Sequence, residues 1–277
     1  MTLYTFGDSW TEGVGADLNE ENQTSTLEEK TEIRKKYCWP KLLSEYMNVE
    51  YENLGVGGSS NEIIFNSISH CLQTNKIKKN DFVVIMWSSS LRDNVVFFPK
   101  ENDWYGNDWY MNSKYYLLKK YLYEDIFSFK KSKNKFYDTL KKQYKEFYIT
   151  NLYNENYYDI VNQNYIIYLQ FMFKNLGIRY LFCDGFDTMV NFNLDKNIDK
   201  TEFIDKNHYW NFSKKTFRDF LLETEQSNIW ENSKNRFNKD KHPNKYGYKL
   251  ISTELFEFIN KKNLLEYEIN NSINYII

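Results

Sequence analysis

Ser9 stands between Asp8 and Trp10 in "TFGDSWTEGVG", directly after an apolar, β-prone run from Leu3 to Phe6. His242 stands in "DKHPNKYGYKLIS", just after Asp240 and Lys241. Between them lie Gly57 and Gly58 in "YENLGVGGSSN" and the serines Ser88, Ser89 and Ser90 in "IMWSSSLRD". A serine hydroxyl is a weak nucleophile at neutral pH and needs a base to take its proton. A histidine oriented by an acid is a common base, and backbone N–H groups can stabilise the oxyanion that forms. One serine, one histidine, one aspartate and clustered donors are therefore the inventory for nucleophilic acyl transfer. Among the three histidines, His242 fits best because it sits in a turn beside an acid. His70 falls in an amphipathic helical pattern and reads as structural, whereas His208, in an irregular aromatic stretch, is an outside candidate. Gly, Asp and Ser are also ordinary turn formers. The fold must therefore bring these segments together for the chemical reading to hold.

The elements that would do so alternate between strand and helix. Leu3–Phe6 reads as a first strand. In "KYCWPKLLSEYMN" Pro40 suits a first helical turn, and Leu42, Leu43, Tyr46 and Met47 follow helical spacing. "VEYENLG" reads as a second strand, leading through the glycine turn into an amphipathic helix that Ser59, Ser60 or Asn61 could cap. "DFVVIMWSSS" is the near-continuous apolar run of a strand buried on both faces. "NYIIYLQFMFKNLGIRYLFCDG" gives a helix, a stop at Gly177 and another buried strand, and a late helix follows Pro243. Such alternation predicts an α/β chain with a parallel central sheet covered on both sides, its strand ends gathered on one edge. Two long segments interrupt the pattern, at about 99–158 and 191–239. Neither is of low complexity, so both are expected to be ordered within a single domain spanning 1–277. In the first, "KYYLLKKYLYEDIFSFKKSKNKFYDTLKKQYKEFY" suits amphipathic helices with aromatics inward better than a ligand-binding lid. Trp104 and Trp109, aromatic without clear periodicity, are the better lid candidates.

The three blocks "TFGDSWTEG", "YENLGVGGSSN" and "DKHPNKYGYKLIS" together resemble the SGNH (GDSL-type) hydrolases. That resemblance implies a flavodoxin-like three-layer α/β/α sandwich and a serine esterase, with an acyltransferase using the same residues as the alternative. It implies Ser9 as nucleophile, His242 as general base, Asp240 as the residue orienting the imidazole, and the N–H groups of Ser9 and Gly58 in the oxyanion hole. Two departures stand out. The family's third block usually reads Gly-x-Asn-Asp, but here Ser90 occupies the position of the oxyanion asparagine. The aspartate is two residues before the histidine instead of three, which leaves Asp184, Asp187 and Asp205 as substitute orienters. Arg92 could assist the oxyanion or hold an anionic substrate, and a surface arginine paired with Asp93 is the equal alternative. Asp8, beside the nucleophile, joins Gly58, Ser90, Arg92, Trp104 and Trp109 as an oxyanion or substrate-binding candidate. The altered third block also admits a non-catalytic binding module that keeps the fold.

Composition narrows the remaining classes. The chain has 277 residues, 42% hydrophobic and 19% aromatic, enough for a large core and for aromatic-lined grooves. Taken with the resemblance, this aromatic richness implies an acyl ester, such as an acetyl ester, on a carbohydrate. A net charge of −2 argues against a whole-surface nucleic-acid or membrane binder. Cys38, Cys71 and Cys183 are odd in number and lack metal-type spacing, so they read as reduced core thiols, with no metal or organic cofactor implied. A dinucleotide fingerprint at Gly55-x-Gly57-Gly58 would need a third glycine where Ser60 stands and an acid where Asn75 and Lys76 stand. With no apolar run of membrane length and no secretory segment after Met1, the cytoplasm is the default location. The Lys-, Asn- and Tyr-rich composition would suit an AT-rich genome or a virus.

Overall fold

The computed structural model describes residues 1–17, 26–89, 155–190, 199–224, 237–238 and 241–266, together with the backbone of 93–95 and 116–118. The strands are β1 (Thr2–Phe6), β2 (Glu50–Asn53), β3 (Phe82–Trp87), β4 (Asp93–Val95), β5 (Tyr116–Leu118) and β6 (Arg179–Asp184). Four of them form an all-parallel sheet in the order β2-β1-β3-β6, and β4 pairs antiparallel with β5. The helices are α1 (Ser9–Glu12), α2 (Leu27–Tyr37), α3 (Trp39–Met47), α4 (Asn61–Gln73), α5 (Glu155–Leu176), α6 (Phe217–Thr224) and α7 (Lys245–Lys261).

The two-residue period of a strand explains the layering. In β3 all six residues are buried, but alternate ones face opposite ways. Val83, Ile85 and Trp87 pack with Ile64 and Ile68 of α4 and with Ile166, Leu169 and Phe173 of α5. Phe82, Val84 and Met86 pack with Trp39 and Leu43 of α3 and with Tyr248, Ile251, Leu255 and Ile259 of α7. Each large side chain buried this way contributes about 1.5–3 kcal/mol of transfer free energy. The sheet is thus covered on both faces, as the continuous apolar run of β3 requires.

Strand register then fixes where the strand ends fall. Phe6 is level with Ile85, and Trp87 with Asp184. The residues after β1, β3 and β6, which include Ser9, Ser88 and Asp187, therefore leave the sheet at the same carboxyl edge.

Three details differ from the sequence expectation. α2 precedes α3 as a separate helix, capped by Thr26, which accepts from the Glu29 N–H while Glu29 accepts from the Thr26 N–H. Tyr116–Leu118, expected in an amphipathic helix, is strand β5, and α5 already begins at Glu155, inside the expected first insertion. The second segment does more than decorate the surface: Tyr209, Trp210 and Phe217 are almost wholly buried in the two cores, and Tyr209 bridges to Phe182 of β6. The three cysteines are free and buried, and burial pushes the Cys183 thiol well up. Among the described residues no helix is long and apolar enough to cross a membrane.

Candidate active site

The turn after β1 is built around Asp8. Its carboxylate caps α1 by accepting from the Trp10 N–H at 3.0 Å and accepts the Ser88 hydroxyl at 2.8 Å, tying the end of β1 to the end of β3. Asp8 is 1% exposed and builds the turn. Ser9 is the first residue of α1, and Trp10 anchors that short helix by packing into the core against Phe186 (centroids 4.5 Å) and Phe237. A tryptophan beside the serine thus holds the turn down while Ser9 stays 8% exposed.

The histidine arrives from the other end of the chain. Asn244 caps α7 by accepting from the Tyr246 and Gly247 N–H groups, and His242 lies two residues before that cap. The Tyr248 hydroxyl donates to the Val14 carbonyl at 2.6 Å, locking α7 to the turn after α1. Asn238 donates from its side chain to the Gly15 carbonyl at 2.6 Å and from its backbone to the His242 carbonyl at 2.8 Å. Gly15 has φ near +100°, and a Cβ there would lie 2.6 Å from His242 Cβ, so the second glycine after the serine makes room for the histidine loop. With these ties in place, His242 Nε2 and Ser9 Oγ are 3.0 Å apart, within hydrogen-bond reach.

The glycine loop after β2 closes a third side. Asn53 holds it to α1, accepting from the Gly55 N–H at 3.0 Å and donating to the Thr11 carbonyl at 2.7 Å. Val56–Ser59 forms a turn closed by the Ser59 N–H on the Val56 carbonyl, with Gly58 at φ +85°, as a type II turn requires at that position. Gly57 is placed against the serine: a Cβ on it would sit 3.8 Å from Ser9 Cβ. The Gly57 N–H donates to Glu12 Oε2 at 2.6 Å. Ser60 caps α4 by accepting from the Ile63 N–H, whereas Asn61 accepts from the Ser88 N–H at 2.8 Å and fixes the end of β3.

Of the sequence candidates, Ser9, His242, Asp8 and the glycine turn holding Gly58 thus meet at one sheet edge. Asp240, Ser90, Arg92, Trp104 and Trp109 lie outside the described residues. Asp187 accepts the Ser89 hydroxyl at 2.5 Å, and Asp184, fully buried, accepts the Tyr209 hydroxyl at 2.6 Å. Asn53, Asn61, Asn238 and Tyr248 were not singled out for these roles by the sequence, since asparagine in a loop carries no signal of which backbone it will meet. His70 is exposed on α4. Among the described residues, no group of three or more His, Cys, Asp or Glu side chains is placed to hold a metal ion.

Asp205 and His208 belong to a different part of the molecule. His208 Nδ1 lies 3.1 Å from Asp205 Oδ2, and its ring stacks on Tyr180 near the amino end of β6, away from the Ser9 edge. Burial alone would raise the Asp205 pKa, but the hydrogen bonds and charges of His208 and Lys174 outweigh it and hold the carboxyl well below its ordinary value. A depressed folded-state pKa stabilises the fold above the unfolded value, near 4, and that contribution fades as pH falls toward the folded value. Asp205→Asn should therefore lower Tm at neutral pH, with the gap from the unsubstituted chain narrowing as thermal melts are taken below about pH 4.

No protein-family model matches the chain, and no curated protein matches it. Among solved structures, the chain is similar to a protein of Desulfitobacterium hafniense DCB-2 provisionally named a lipolytic protein of the G-D-S-L family. The alignment covers 93% of this chain and 98% of that one, at 10% sequence identity and a TM-score of 0.38. A likeness that distant assigns no role to any residue, and the functional reading rests on the site itself.

Proposed function

We propose that the chain is a serine ester hydrolase, and the observation that carries this reading is the 3.0 Å approach of His242 Nε2 to Ser9 Oγ. In the proposed reaction Ser9 Oγ attacks the ester carbonyl carbon while His242 Nε2 takes its proton. The tetrahedral oxyanion accepts hydrogen bonds from the N–H groups of Ser9 and Gly58. Its collapse breaks the bond to the alkoxy oxygen, which leaves as the alcohol with the proton from His242. Water then attacks the acyl-serine as His242 takes its proton, and collapse releases the acid while His242 returns that proton to Ser9 Oγ. Asp240 is the proposed orienter of the imidazole. The proposed substrate is a small acyl ester, such as an acetyl group on a carbohydrate, in keeping with the aromatic-rich composition and the motif resemblance.

The test is covalent. A fluorophosphonate should label the native chain, and peptide mapping should place the adduct on Ser9, since only a serine activated by a base reacts at a useful rate. A chain that neither labels nor releases acid from nitrophenyl acetate is not a serine hydrolase.

A further inference from the structure

Arg34, on α2, touches both walls of the site without touching the site itself. Its Nε donates to Asp17 Oδ1 at 2.8 Å, its NH2 group to Asp17 Oδ2 at 3.3 Å and its NH1 group to Glu12 Oε1 at 3.4 Å. The Asp17 carboxylate is completely buried and also accepts from the Gly15 N–H at 3.2 Å. Gly15 is the residue whose carbonyl receives Asn238 and against which His242 packs. Glu12 uses its other oxygen to hold the Gly57 N–H at 2.6 Å, beside Ser9. The guanidinium therefore joins two chains of hydrogen bonds, one ending at the histidine loop and the other at the glycine loop.

The guanidinium is suited to this. Its planar fork fixes the direction of each N–H, so one side chain can hold two carboxylates at a set angle, which a lysine ammonium cannot do. Burial opposes its charge, but the hydrogen bond and charge of Asp17 and the charge of Glu12 outweigh burial and raise its pKa, so it stays ionised. A surface ion pair would be worth little, but here the Asp17 side chain is wholly buried and the Arg34 side chain 22% exposed.

We propose that Arg34 is a positioning residue that sets the separation between the His242 loop and the Gly55–Gly58 loop across Ser9, acting through Asp17 on one side and Glu12 on the other. This rests on the esterase reading, and it assigns a catalytic consequence to α2, a helix that contributes no reacting group.

The experiment measures fluorophosphonate labelling rate, kcat and KM on nitrophenyl acetate, and Tm, for the native chain and a set of variants. Arg34→Ala should lower kcat and the labelling rate by about ten- to a hundredfold with KM nearly unchanged, the range expected when reacting groups are misplaced by up to 1 Å. Arg34→Lys should recover little. Since Arg34→Ala leaves Asp17 buried without its cation and could unfold the chain, the Glu12 variants provide an independent route. Glu12 is 38% exposed, so Glu12→Ala should keep its Tm yet lose about tenfold in kcat. Glu12→Gln keeps one amide oxygen for the Gly57 N–H but turns its NH2 toward the Arg34 NH1 group, donor against donor, so it breaks the Arg34 link and should lose about as much as Glu12→Ala. Lys35→Ala, on the same helix but paired among the described residues with exposed Glu32 alone, should match the native chain throughout. If the native chain labels and Arg34→Ala or Glu12→Ala labels as fast, the inference fails alone. A Glu12→Gln variant that keeps the native kcat overturns the Glu12 arm of the inference. If the native chain does not label at all, the esterase reading fails and takes the inference with it.

Discussion

Ser9→Ala loses ester hydrolysis by roughly four to six orders of magnitude in kcat, His242→Ala loses nearly as much, and the double variant is hardly worse than either. The expectation follows from the 3.0 Å contact: a nucleophile and its base act as one unit, so removing either removes the covalent route. In free energy this is about 5–8 kcal/mol of transition-state stabilisation. What remains comes from binding and from oxyanion donors that neither substitution deletes. The folded state should survive, because the Ser9 hydroxyl packs into no core cluster and α1 is capped by Asp8. Steady-state kinetics on a chromogenic ester, with circular dichroism to verify the fold, measure both halves of the statement. Losses that multiply in the double variant would mean the two residues serve separate steps.

Gly15→Ala should be the most damaging substitution of a residue that performs no chemistry. The new Cβ would sit 2.6 Å from His242 Cβ and 2.7 Å from the Pro243 carbonyl oxygen, against a normal carbon contact of about 3.5–4 Å. The histidine loop must then retreat by about 1 Å, which typically costs about a hundredfold in rate. The backbone is also at φ +100°, where an L-residue is strained, so Tm should fall as well. Gly13→Ala separates the two effects. Gly13 has φ +97°, but its Cβ would meet Cys38 at the junction of α2 and α3 instead of His242. It should lose stability to a similar degree with a much smaller change in kcat. Matching kcat losses in the two variants would mean that strain, and not the histidine contact, sets the effect.

How far the sequence revealed this arrangement depended on the kind of force behind each part. The parallel sheet was legible because apolar runs at strand spacing bury on both faces, and the residues of β3 do so without exception. The turns that carry Ser9 and His242 were legible, since Gly, Asp, Asn and Pro at those positions dictate local geometry without needing distant partners. α2 was missed because its residues are mostly charged and show no apolar stripe. Its signature was the capping box of Thr26 and Glu29, a local signal that hydrophobic periodicity overlooks. Arg34 went unnoticed for the same reason, since a charged residue on a polar helix reads as solvated until the fold brings Asp17 and Glu12 to it. His208 beside Asp205 is the reverse case, where types suited to catalysis close in sequence proved to be a stacking and ion-pair cluster at the wrong end of the sheet.

Ser9 and His242 are 233 positions apart. Closing a loop of that length costs about 5 kcal/mol of chain entropy beyond a constant, and nothing local to either residue offsets it. The offset comes from the Tyr248–Val14 and Asn238–Gly15 contacts and from the packing of α7 on α3 and the sheet, which form only when both ends of this span meet. While the ribosome is still making α7, Ser9 has long been available but has no base, so a nascent chain carries an inert serine. In refolding, probe reactivity should accordingly trail the recovery of helical signal. On the proposed reaction, the chain would hydrolyse no ester during synthesis until α7 has packed.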